Sequence, residues 1–218
     1  MAPCDSTTKP YTPLYLNFVS AADVKMMSSD TAKLVAAAAD GDAKAVKSIL
    51  KDDPSLVDAA DWDGATPLLS ASKSGHLDVV KALSSSGASI DKADSHGSTP
   101  LIEACSSGHL PVVKHLHDKG ASVDITNEQG VGPVWAAAAA GKADVLQHLI
   151  KKLSAPLDTP RADGVSALMA ASVGGHLDAV KLLLKNGADA NGKDNDGLTP
   201  AMNACEKPGA EVLKEVRE

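Results

Sequence analysis

Aromatic residues are almost absent: Phe, Trp and Tyr make up 2% of the 218 residues. A core poor in rings has to be built from aliphatic and alanine side chains packed closely. No apolar run approaches the roughly 20 residues that cross a bilayer, so no membrane association is expected. A net basic charge is also lacking. The formal net charge is -7, and phosphate backbones are held by a basic face, so nucleic acid is not an expected partner. No Asn-x-Ser/Thr site occurs. Gly-x-Ser-x-Gly and His-Glu-x-x-His are missing as well, and nothing offers a nucleophile beside a base. The chain is therefore read as no enzyme, with no cofactor. Gly187 to Lys193 has the glycine-lysine spacing of a phosphate loop. Asp194 stands where Ser or Thr is required, and the stretch follows a helix rather than a strand.

What is present is a repeat. Gly64, Gly97, Gly130, Gly164 and Gly197 lie 33, 33, 34 and 33 residues apart. Two residues after each comes a helix start: Thr66-Pro67, Thr99-Pro100, Gly132-Pro133, Ser166-Ala167, Thr199-Pro200. Thr or Ser at the N-cap accepts from an orphan helix N–H, and proline suits the first helical position. A short helix of small residues follows, ending at Gly75, Gly108, Gly141 or Gly175, where a left-handed residue is wanted. A second helix then carries Leu77, Val79, Val80 and Leu83, or Leu110, Val112, Val113 and Leu116, on one face. One such unit cannot bury its apolar faces alone, so neighbours must stack.

Asp94-Ser95-His96-Gly97-Ser98-Thr99-Pro100-Leu101, with Gly108-His109 and Gly120-Ala121, resembles the ankyrin-repeat signature, and the period matches a unit of about 33 residues. The resemblance implies an all-α solenoid of about six helix-turn-helix units joined by short hairpin loops. The expected division is an N-terminal extension over 1–30 and a repeat domain over 31–218. Within it, 31–60 is a degenerate capping repeat, followed by 61–93, 94–126, 127–160, 161–193 and a C-terminal capping repeat at 194–218. Where the family often has His after Thr-Pro-Leu, this chain has Leu69, Ile102, Trp135, Met169 and Met202.

Both Tyr residues and the Phe lie within 11–18. Met1 to Pro10 is expected without fixed structure, and Ala21 to Ser28 as a short helix. Tyr15, Leu16, Phe18 and Val19 either cover the open end of the first repeat or form a partner-binding arm or targeting segment. Ser84-Ser85-Ser86 are poor helix formers, and the helix should fray there. The 127–160 repeat deviates most. It has Gly132 for Thr, Lys142 for His, Leu153 for the stop glycine, and one extra residue near Ser154-Ala155-Pro156. A fault line is expected there.

Cys105 and Cys205 share one slot three repeats apart. At ~10 Å per helix layer they are too distant to bond. Buried thiols suit a reducing compartment and hence the cytoplasm, with nucleus or organelle left open. His76, His109 and His176 open second helices, where the resemblance implies bonds to neighbouring backbone. His115 and His148 share a slot in adjacent repeats, also ~10 Å apart. Zinc needs three or four ligands within about 2.3 Å of one point, so a solvated face is read there and no metal is expected.

The inter-repeat loops carry twelve Asp or Glu against Lys92, Arg161 and Lys193, while most of the 21 Lys and Arg belong to second helices. Asp61, Asp94 and Asp194 are expected turn-formers. Asp63, Glu128, Asp163 and Asp196 are not demanded by the turn and would steer a partner with a basic surface. Trp62, on a loop tip, is read as an interface hot spot, as packing on residues 11–28, or as incidental exposure. Trp135 is read as core or groove lining. From the variable positions that the resemblance implies, the expected contact row is Trp62, Asp63, His96, Gln129, Val131, Asp163, Val165, Asp196 and Leu198. The expected function is non-catalytic binding of another protein on the concave loop and helix face, as scaffold, inhibitor or assembly chaperone. The chain alone is expected to be a monomer. The alternative is a regulatory or targeting subunit of a larger complex, docked through its N-terminal segment.

Overall fold

The structure, a computed structural model, describes residues 29–204 and 210–217. The expectations for residues 1–28 and for Cys205 lie outside the described residues. Twelve α-helices and one 3₁₀ turn are present among the described residues, with no strand. First helices are α1 (Ser29–Ala39), α3 (Pro67–Ser74), α5 (Pro100–Ser107), α7 (Pro133–Ala139), α9 (Ala167–Gly174) and α11 (Pro200–Asn203). Second helices are α2 (Ala43–Asp52), α4 (Leu77–Ser85), α6 (Leu110–Asp118), α8 (Ala143–Leu153), α10 (Leu177–Lys185) and α12 (Ala210–Arg217). Each first helix packs on the next first helix, and each second helix on the next second helix. The fold is the expected all-α solenoid.

Local chemistry starts each unit. The hydroxyls of Thr66, Thr99, Ser166 and Thr199 accept from the backbone N–H three residues on, and Gly132 makes no such bond. Gly75, Gly108 and Gly175 close their first helices in the left-handed region. Gly75 has a second reason to lack a Cβ. Built there, that atom would lie 2.5 Å from the His109 ring. The glycine is thus a seat for the next repeat's histidine. His76, His109 and His176 donate from Nε2 to the carbonyls of Ala39, Lys73 and Ala139, at 2.9, 3.0 and 3.1 Å. Each ring ties a second-helix start to the end of the first helix of the preceding repeat.

The core runs through the whole stack. Leu34, Val46, Leu68, Leu83, Leu101, Leu116, Leu149, Leu168 and Leu183 are closed to solvent. Each such side chain contributes about 1.5–3 kcal/mol by burial, so the column rather than any one repeat holds the fold. Cys105 sits in this core as a free thiol, and burial pushes its pKa far up.

Two irregular stretches are accommodated locally. The serine run does not end α4 early, since the helix continues through Ser85. The Ser84 and Ser86 hydroxyls donate back to the Lys81 and Ala82 carbonyls, at 3.1 and 3.0 Å. The extra residue of the 127–160 repeat is absorbed without breaking the stack. Ser154 takes the left-handed conformation, φ 51°, alone among described non-glycine residues. Ala155 is then buried like Ala88, Ala121 and Ala188. Its N–H reaches back to Leu149 O, at 3.2 Å, as those of the other alanines reach the leucine that ends their helix face.

Candidate functional site

Five hairpins connect the units, with tips at 62–64, 95–97, 128–130, 162–164 and 195–197. In four of them one carboxylate or amide oxygen builds the turn. Asp61 accepts from the N–H of Asp63 and Ala65, Asp94 from His96 and Ser98, Asn127 from Gln129 and Val131, and Asp194 from Asp196 and Leu198, all at 2.8–3.0 Å. Each tip is also tied to the next by one backbone bond. Ser95 N–H donates to Asp63 O, Glu128 to His96, Ala162 to Gln129 and Asn195 to Asp163, at 2.9–3.2 Å. The tips therefore form a continuous, cross-linked row.

The fourth hairpin is built differently, because Arg161 stands in the Asp slot. Its guanidinium reaches the Asp163 carboxylate at 2.9 Å and stacks over the Trp135 ring, 5.2 Å from the centroid. The indole Nε1–H donates to Val165 O at 3.0 Å. A side chain from α7 thus adds a bond to a loop that keeps its own backbone bonds, Arg161 N–H to Val165 O and Gly164 N–H to Arg161 O, at 3.1 and 2.9 Å. Trp135 was open between core and groove, and it lies half-buried along the groove.

The expected contact row is placed as follows. Trp62 is 67% exposed at the first tip. His96, Gln129, Asp163 and Asp196 are exposed, and Leu198 is 38% exposed. Asp63 and Val165 are half-buried. Val131 lies beneath the tips and lines the depression between α5 and α7. It is 8% exposed, in an apolar cluster with Ile102 and Ala136. The strand-like arm after the third tip turns its side chain onto α5 and α7.

The acids of the row are not equivalent. The Asp63 carboxylate accepts from Ser95 Oγ at 2.9 Å and lies 3.7 Å from His96 Nδ1. Asp163 is occupied by Arg161. Glu128 and Asp196 make no side-chain bond or ion pair among the described residues. The row's outward negative charge is thus concentrated at Glu128 and Asp196.

Beneath the third hairpin, between α5 and α7, lies a depression of about 270 Å³ lined by Ile102, Glu103, Val131, Trp135, Ala136 and Ala139 among others. Sequence reasoning did not single out Glu103 or the alanines. The available signal was Ala136 to Ala140, a run too small to fill the space beside α5. On the opposite face, a groove between α6 and α8 is lined by Lys114, Gln147, His148, Lys151 and Lys152. The pKa of His148 is lowered there, by partial burial first and then by Lys114, His117 and Lys152. That of His115 is lowered by partial burial, then by Lys119 and Lys81.

Comparison with known proteins agrees with this geometry. The family model described as ankyrin repeats (3 copies) matches residues 34–127 and 134–217. The chain belongs to the ankyrin-repeat family, whose repeats serve protein–protein interaction. It is similar to the serine/threonine-protein kinase VIK of Arabidopsis thaliana, 45% identical over 64 residues, covering 29% of this chain and 15% of the kinase. It is also similar to protein phosphatase 1 regulatory subunit 27 of Mus musculus, 43% identical over 56 residues, covering 26% of this chain and 36% of that protein. The matched segments span well under two thirds of either relative. No helix among the described residues is long and apolar enough to cross a membrane.

Proposed function

We propose that this chain is a non-catalytic binding module, acting as scaffold, inhibitor or assembly chaperone, that holds a partner protein on its concave face. Trp62, Asp63, His96, Gln129, Asp163, Val165, Asp196 and Leu198 form the contact row, and Val131 supports it from below. The carrying observation is Trp62. It is 67% exposed at the head of a row of tied hairpin tips. Large exposed aromatics concentrate binding energy, and a row already cross-linked loses little freedom on association. Glu128 and Asp196, whose side chains have no partner among the described residues, favour a partner with a basic surface. The free Cys105 thiol fits a reducing, cytoplasmic setting.

A second reading has one observation in its favour: a relative named as a regulatory subunit of a phosphatase. In that reading the chain docks through residues 11–19 onto a larger complex. Pull-down from the source cell with mass spectrometry separates the two. Trp62→Ala, and Glu128→Lys with Asp196→Lys, abolish capture under the first reading, whereas Tyr15→Ala with Phe18→Ala leaves it intact. The reverse pattern moves the docking site to the N-terminal segment.

A further inference from the structure

We propose that the depression between α5 and α7 takes one lysine or arginine side chain of the bound partner, with its stem on Ile102 and Ala136 and its cation on Glu103. This rests on the reading of the concave face as the binding face, and adds the chemistry of one contact to it.

The position that follows Leu69, Ile102, Trp135, Met169 and Met202 along the first helices holds Ser70, Glu103, Ala136, Ala170 and Asn203. One charge occurs in that column. It borders the repeat whose first helix is alanine from Ala136 to Ala140, which is why space remains beside it. The floor is apolar, since Ile102, Val131 and Ala136 are each less than 9% exposed. Glu103 stands at the rim with only 18% of its side chain exposed, and Lys73 Nζ lies 3.4 Å away. Lys73 is itself 65% exposed, so its end of the pair is screened by solvent.

The occupant follows from what each candidate would do to that carboxylate. An aliphatic side chain would cover the floor and leave Glu103 desolvated without a new partner. An acidic one would meet like charge. Lysine and arginine bury a methylene stem on apolar surface and keep the charge at its end. A charge-assisted bond formed in this drier site is about twice as strong as a neutral one.

The test uses the full chain and four acetylated, amidated tripeptides, Ala-X-Ala, with X arginine, lysine, citrulline or norleucine. Binding is read from the methyl signals of Ile102 and Ala139 by NMR. The arginine and lysine peptides are expected to bind at least about tenfold tighter than the two neutral ones. Glu103→Gln should remove that preference, and Lys73→Ala should strengthen it. Ala139→Leu, which fills the space, should weaken all four. Unchanged thermal midpoints exclude misfolding. Equal affinities in the wild type, no shift at Ile102 and Ala139 at millimolar peptide, or a preference that survives Glu103→Gln overturns the proposal. Shifts confined to Trp62 and Asp196 would leave the binding face standing and remove this pocket. An intact Glu103 preference, with partner capture insensitive to Trp62→Ala and the Glu128 and Asp196 reversals, would do the opposite.

Discussion

The hairpin at Asp94 and the hairpin at Arg161 reach the same shape by different physics. At Asp94 one carboxylate accepts the His96 and Ser98 N–H groups, both at 2.9 Å. The turn is complete within five residues. At Arg161 that acceptor is missing, and Asp163 takes only its own neighbour Val165 N–H, at 3.2 Å. The turn keeps its backbone bonds, Arg161 N–H to Val165 O at 3.1 Å and Gly164 N–H to Arg161 O at 2.9 Å, and the Trp135 indole adds a second donor to Val165 O with the guanidinium stacked on its ring. A repeat can therefore lose its local turn chemistry if the adjoining unit supplies a side chain long enough to replace it. The cost is that the fourth hairpin leans in part on packing between repeats, where the second has its side-chain acceptor within the turn.

Substitutions can break this comparison, and the largest effect is expected at Trp135. Trp135→Ala should lower stability by about 2–3 kcal/mol, somewhat below the figure for a fully buried aromatic, as read by denaturant unfolding. It should also raise hydrogen exchange across 157–165 while leaving 94–98 protected. Equal loss of protection at both hairpins would mean that the two are not separately held. Next comes Asp94→Ala, which strands two backbone donors and should cost about 1–3 kcal/mol, with exchange rising at 94–98 alone.

Smaller effects sharpen the contrast. Arg161→Ala should cost roughly 0.5–1 kcal/mol in the wild type and almost nothing after Trp135→Ala, a coupling that a double-mutant cycle measures. Ser154→Gly relieves the left-handed strain in the same repeat and should add about 0.5–1 kcal/mol. The smallest expected effect is on pH. His115 and His148 have lowered pKa values in the fold, so the unfolded chain takes up protons first. Stability should therefore fall gently as pH drops below the ordinary histidine value of about 6.5. Replacing both with Gln should flatten that slope in thermal scans.

Legibility followed the range of the interaction. The helix starts at Thr66, Thr99 and Thr199 and the stops at Gly75 and Gly108 were readable because the bonding partner lies within four residues. The histidine ties were readable only through the family resemblance, since Ala39, Lys73 and Ala139 are 36 or 37 residues away from their rings. That Val131 lies beneath the tips was not readable, because its slot in the row says nothing about which way the arm turns over α5 and α7. Arg161 was counted as one basic residue in an acidic loop. Nothing in the 33-residue period announces that it faces Trp135 of the preceding unit.

By itself the sequence determined the repeat, its helix boundaries, the apolar column and the sign of charge on each side, all of which are set by short-range bonding and by periodicity. Only the stacked structure decided which loop acids have no side-chain partner among the described residues, that Val131 goes inward, and that the alanines of α7 leave a depression beside Glu103. Those outcomes depend on side chains from adjacent repeats meeting across the stack. A period in the chain brings such residues to the same layer without saying which of them will touch.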